Sequence, residues 1–153
     1  KPHIDAFKSF GASPLPMAYS DLFTAIETGV LDGAEAANSN YYSKKFFEVA
    51  PFWAQIGWLR LVAPVIMSKK FYDKMPIDLQ QIVDNSLSEL VNYERELYTQ
   101  ISNKRLQQLE KLNVNITYPD PLPFKEASKN VYDNWAEKIG GWELINEIQS
   151  FKY

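Results

Sequence analysis

The chain has 153 residues, 46% of them hydrophobic and 23% charged, the proportions of a globular chain rather than a disordered or fibrous one. A net charge of −3 supplies no basic stripe to neutralise phosphates, which excludes nucleic acid as an expected partner. Cysteine is absent, removing thiol nucleophiles, disulfides and Cys-ligated zinc together. No apolar run reaches the ~18 residues of a membrane-spanning helix. The sequence opens at Lys1 without methionine, so the expectation is a processed product or a piece of something longer.

His3 to Phe10 reads as the tail of a helix closed by Gly11. Leu15 to Ala18, flanked by prolines, is a brief strand or an extended segment. Ser20 is placed to cap a helix carrying Leu22, Phe23 and Ile26 on one face and ending at Gly29. Val30 and Leu31 read as a short strand stopping at the turn-forming pair Asp32-Gly33. This strand–helix–strand rhythm is an α/β signature. Asn38 to Val49 is expected to be helical. Ala54 to Ser68 is the longest β-like stretch, with Pro64 confined to an edge or crossing point. Lys69 to Met75 is a short helix, and Val114 to Tyr118 alternates as a strand. After a proline-rich turn, Phe124 to Ile139 and Trp142 to Ile148 read as two helices around Gly140-Gly141.

Between these lies the strongest periodic signal. From Ile77 to about Lys111, apolar residues recur at helical spacing, among them Leu79, Ile82, Val83, Leu90, Val91, Leu97, Ile101 and Leu109, with no proline or glycine between. At 1.5 Å per residue such a helix is roughly 50 Å long. A globule of this chain length is only about 40 Å across. The rod is therefore either a coiled-coil arm or a brace lying across a second lobe. Adjacent apolar pairs such as Ile82/Val83 and Leu90/Val91 make a stripe broader than a coiled-coil seam, which favours the brace.

The run from Gly11 to Val49 carries a more specific pattern: Gly11-Ala12-Ser13-Pro14-Leu15-Pro16, then Tyr19, Ser20-Asp21, Val30-Leu31-Asp32-Gly33-Ala34-Glu35, and Lys45-Phe46-Phe47-Glu48-Val49. It resembles the DctP-type solute-binding proteins of tripartite ATP-independent periplasmic (TRAP) transporters, and Ser68 to Phe71, the MPIDLQ helix start and VNITYPDPLPFKEA extend the likeness over nearly the whole chain. The resemblance implies the C-terminal half of an α/β, type II periplasmic-binding-protein-like fold: two lobes, a cleft between them and a long bracing helix. It divides the chain into a lobe with the ligand-site segment at 1–58, hinge strands at 59–75, the brace at 76–112, and a closing strand and helices at 113–153. It also implies periplasmic localisation, a small organic-acid ligand and TRAP membrane permease subunits as partners; Ala36, Trp58 and the Asn-rich stretch point to a sugar acid or another hydroxylated carboxylate, no cofactor is expected, and no Asp/Glu cluster has metal-loop spacing. The arginine that pairs with the ligand carboxylate in this family falls upstream of Lys1. The chain is accordingly expected to associate with its missing N-terminal half or with a second copy of itself.

The ligand-binding candidates are Tyr19, Glu35, Ala36 and Trp58, at positions the resemblance marks, together with Asn38, Asn40 and Arg60, which their neighbourhood suggests. Tyr19 matches a pocket aromatic, or is a core aromatic preceding a helix. Glu35 follows a strand end and a glycine turn, where α/β ligands sit, or is a structural carboxylate bonded to backbone. Ala36 stands where the family often has Asn or Trp, leaving room for a larger ligand. Asn38 and Asn40 take over the lost hydrogen bonding, or cap the following helix. Trp58 and Arg60, two apart on a strand, share a face suited to a carboxylated sugar; otherwise Arg60 lies on a solvated edge. Catalysis has little support, since His3 is the only histidine and no nucleophile–base pair is apparent. The alternatives are a helical oligomerisation module without a small ligand and, more weakly, an enzyme of carboxylate metabolism.

Overall fold

The computed structural model describes residues 1–59 and 61–151. In chain order the helices are α1 (Pro2–Ser9), α2 (Leu22–Glu27), α3 (Asn38–Ser43), α4 (Lys69–Tyr72), α5 (Ile77–Lys111), α6 (Leu122–Ala127), α7 (Lys129–Ile139) and α8 (Gly141–Ser150). The strands are β1 (Phe52–Ala54), before α4, and β2 (Asn115–Thr117), between α5 and α6; they pair in a two-stranded sheet. Helices therefore dominate what the sequence presents as an α/β alternation.

Two compact units emerge. The first gathers Lys1–Leu22, Ala54–Leu59 and residues 118–151. Here α1 packs on α7, and α7 on α8, burying Ala6, Ala136 and Ile145. Trp135 donates its indole N–H to the Asp5 carboxylate at 2.8 Å, and the Lys138 ammonium lies over the same ring. Phe7 on α1 and Phe10 at its C-terminal cap meet Trp58 edge to face, and Phe10 does the same with Phe124. Gly140 ends α7 and begins α8 with φ +112°, a conformation that L side chains rarely adopt.

The second unit comprises Phe23–Trp53 and residues 61–117. Its buried side chains are Ala25, Ile26, Tyr41, Phe46, Trp53 and Leu109. The core is built where α3 packs against the C-terminal part of α5. Asn115 donates its N–H to the Pro51 carbonyl beside β1, and Val114 donates its N–H to the Leu109 carbonyl, tying the start of β2 to the end of the long helix.

The 35-residue helix α5 runs between the limits its periodicity predicts. Other elements differ from expectation for local reasons. Ser20 does not cap α2: Tyr19–Asp21 is a 3-10 turn, and the Ser20 hydroxyl donates to Asp21. Leu15 to Ala18 is extended without a ladder. Val30 and Leu31 form no strand, because the Leu31 N–H is taken by the Ala25 carbonyl in closing α2. The helix expected over Asn38 to Val49 stops at Ser43, and the left-handed Lys45 (φ 56°) redirects the chain into a 3-10 turn at Phe46–Glu48. The helix expected over Phe124 to Ile139 is two, broken at Ser128.

The largest departure is the β-like stretch Ala54 to Ser68, in which no described residue beyond Ala54 is in a strand. From Leu61 onward its apolar side chains stand in solvent, Leu61 at 85%, Val62 at 82% and Ile66 at 85% exposure. A strand exists only through its ladder, and among the described residues this segment pairs with no strand of the β1–β2 sheet.

Candidate functional site

The segment from Asp32 to Asn40 holds four of the seven candidates, and its geometry is set by helix α3, into which it runs. α3 begins at Asn38 with Ala37 in the N-cap position, so neither Asn38 nor Asn40 caps it. Glu35 and Asn40 are exposed, and Ala36 is half-buried. Beneath the segment is a cavity of about 330 Å³ bordered by Asp32, Gly33, Ala34, Tyr41, Phe46 and Trp53. That volume is at the small end of what small-molecule sites provide.

Asn38 faces inward. Its side-chain oxygen accepts from the Trp53 indole N–H at 2.8 Å, and its amide nitrogen lies 3.2 Å from the hydroxyl of Ser102 on α5. The indole N–H can only donate, so the oxygen must be the atom that faces it and the NH₂ the one turned toward α5. Trp53 also stacks on Tyr41, ring centroids 4.1 Å apart. The Tyr41 hydroxyl donates to the Ala50 carbonyl at 2.5 Å, and burial pushes this phenol up to about 12, so it stays a neutral donor over the ordinary pH range. One turn along, the Arg105 guanidinium lies 4.5 Å above the Tyr42 ring and donates to Gln108. Helix α3 thus meets α5 through two rungs, Asn38–Ser102 and Tyr42–Arg105.

The remaining candidates lie elsewhere. Tyr19 opens the 3-10 turn in the first unit and is 39% exposed. Trp58 is half-buried in the aromatic group of the first unit, edge-on to His3 and Phe7 at 5.4 and 5.0 Å. It borders a second hollow of about 450 Å³ with Phe10, Leu59, Phe124 and Tyr132. Arg60 lies outside the described residues. Trp58 is not on a strand, so the shared-face reasoning for Trp58 and Arg60 has no ladder beneath it. Sequence reasoning missed Trp53, Ser102 and Tyr42. A serine among the polar residues of a long helix looks like solvated surface; only the inward-facing asparagine reveals its partner.

The fold and these placements can be set beside known proteins. Residues 1–138 match the family described as bacterial extracellular solute-binding protein, family 7 (DctP). The chain belongs to this family. Within family 7, a solute-binding protein of Sulfitobacter sp. is 31% identical over 147 residues, 94% of this chain and 44% of that protein. The 2,3-diketo-L-gulonate-binding periplasmic protein of Escherichia coli is 32% identical over 149 residues, 95% of this chain and 45% of that protein. Among solved structures, a TRAP periplasmic solute-binding protein of Roseobacter denitrificans with bound β-D-glucuronate superposes with a TM-score of 0.90 at 25% identity, covering 99% of this chain and 51% of that one. One from Pseudomonas putida with bound D-glucuronate gives 0.88 at 26% identity, covering 99% and 49%. The chain spans about half the length of the relatives it matches, and the fold it shares is that of their two-lobed architecture. Family 7 proteins are extracellular solute-binding proteins.

Proposed function

We propose that this chain forms half of an extracytoplasmic solute-binding protein that captures a small organic acid of the hexuronate class and presents it to a TRAP-type permease, catalysing no reaction. The observation that carries this is the structural likeness, over nearly the full chain, to TRAP solute-binding proteins with D-glucuronate bound. The 2,3-diketo-L-gulonate-binding relative is a sugar-acid binder as well.

In this reading residues 1–58 belong to a ligand-bearing lobe, 59–75 pass through the hinge, 76–112 brace both lobes and 113–153 close them. Glu35, Ala36 and Asn40 contribute from one wall of the cleft, and Tyr19, Trp58 and Arg60 supply aromatic and cationic contacts. The complementary half brings the arginine that pairs with the carboxylate, where bidentate geometry makes the contact strong. Its apolar surface covers the bare stripe of α5, on which Ile82, Leu90, Val91 and Leu97 are exposed. Closure of the lobes on the acid is the event the permease reads.

Thermal-shift measurement on the full encoded protein tests the reading. D-glucuronate or D-galacturonate at a hundred times its Kd stabilises the protein by about 2.7 kcal/mol. Stabilisation by succinate or simple keto acids alone rejects the sugar-acid assignment. The same stripe on α5 favours self-association as the second reading. Sedimentation of the full encoded protein decides between them, a ligand-indifferent oligomer favouring the second.

A further inference from the structure

The Asp32–Asn40 segment has few anchors of its own: four of its first residues are exposed and no strand holds it. Helix α3, at its far end, is held firmly. Asn38 is the junction, with Trp53 on one side and Ser102 of α5 on the other. We propose that Asn38 is a positioning residue that ties the ligand-facing segment to the long helix, so that Glu35 and Ala36 move with α5 rather than independently of it. The proposal rests on the reading above that this segment faces the ligand, and it replaces the expectation that Asn38 contacts the ligand itself.

Three features support it. Both ends of the Asn38 amide are engaged within the protein, and donor–acceptor chemistry allows only one orientation. The partners come from far apart in sequence, Trp53 from β1 and Ser102 from α5, so the link is tertiary. The Tyr42–Arg105 stack supplies a second rung on the same two helices, which keeps α3 from rotating about the first. A segment tethered in this way transmits a shift of α5 to the binding wall, because packed elements move as bodies rather than deforming.

The test uses the full encoded protein and four variants, Asn38→Ala, Ser102→Ala, Ser102→Thr and the double variant Asn38→Ala with Ser102→Ala. Two quantities are measured: hydrogen exchange of the backbone amides from 33 to 41, and the Kd for D-glucuronate by calorimetry. Asn38→Ala and Ser102→Ala are each expected to speed exchange in the segment several-fold while leaving α7 and α8 unchanged, and to weaken D-glucuronate about tenfold. The double variant is no worse than the poorer single one, and Ser102→Thr, which keeps a hydroxyl, restores both readouts. If Asn38→Ala abolishes binding with exchange unaltered and Ser102→Ala is silent, Asn38 touches the ligand and the proposal is overturned. If the wild-type protein binds no uronate, the ligand assignment falls by itself, and the exchange data alone uphold or overturn the tether.

Discussion

The two ends of α5 carry the same kind of apolar stripe and meet opposite fates. Toward the C-terminus, Leu109 is fully buried, Ser102 bonds Asn38, and Arg105 lies on Tyr42. Toward the N-terminus, Ile77, Leu79, Ile82, Leu90 and Val91 are all exposed, and the polar link Tyr72–Asp84 secures only the helix start. Periodicity is identical in kind along the helix; coverage is not. An amphipathic stripe states that a surface must be buried somewhere, and the packing partner decides where.

The comparison can be broken at its covered end first. Trp53→Ala removes the stacked ring and the Asn38 bond together, with an expected loss of about 3–5 kcal/mol in denaturant unfolding. Leu109→Ala empties the most buried site on the helix and is expected to cost about 2–5 kcal/mol by the same measurement. Gly140→Ala, outside the comparison, calibrates backbone strain: φ is +112° and the added methyl would meet Leu144 at 2.9 Å, so a loss of about 1–2 kcal/mol is expected.

Tyr41→Phe deletes the bond to the Ala50 carbonyl and should cost about 0.5–1.5 kcal/mol near neutral pH. It also has a pH signature. The folded-state pKa lies above the ordinary 10, so the native state holds its proton longer than the unfolded chain; the stability from this group is complete below pH 10 and disappears as pH rises toward about 12. An alkaline unfolding curve should lose that component in Tyr41→Phe. Smallest is the uncovered end: Leu90→Ala in this chain alone should change stability by no more than about 0.5 kcal/mol. The same change in the full encoded protein should cost clearly more if another lobe covers the stripe. Equal small effects in both would remove the brace.

Much of the architecture was legible in residue order for a physical reason. α5 has no internal breaker and a helical apolar period, and Gly140 marks a turn that needs positive φ; both are local facts. The family pattern from Gly11 to Val49 was legible too. Illegible was the fate of Val30-Leu31 and of Ala54 to Ser68, whose β propensity is real but whose described residues beyond Ala54 join no ladder. Strand propensity expresses fit to a pleated neighbour, and the neighbour is not encoded in the segment. Among the candidate residues, Asn38 was singled out for its amide but given a different partner: an indole and a serine far along the chain.

The sequence by itself determined the long helix, its apolar stripe, the turn glycines and membership of family 7, because helix periodicity and backbone conformational limits act within a few residues. Only the tertiary structure decided that α3 docks on the last turns of α5, that Asn38 points inward to Trp53 and Ser102, and which half of the stripe is covered. Those outcomes depend on which distant surfaces meet, and a donor such as the Trp53 indole takes whichever acceptor the packing brings within reach.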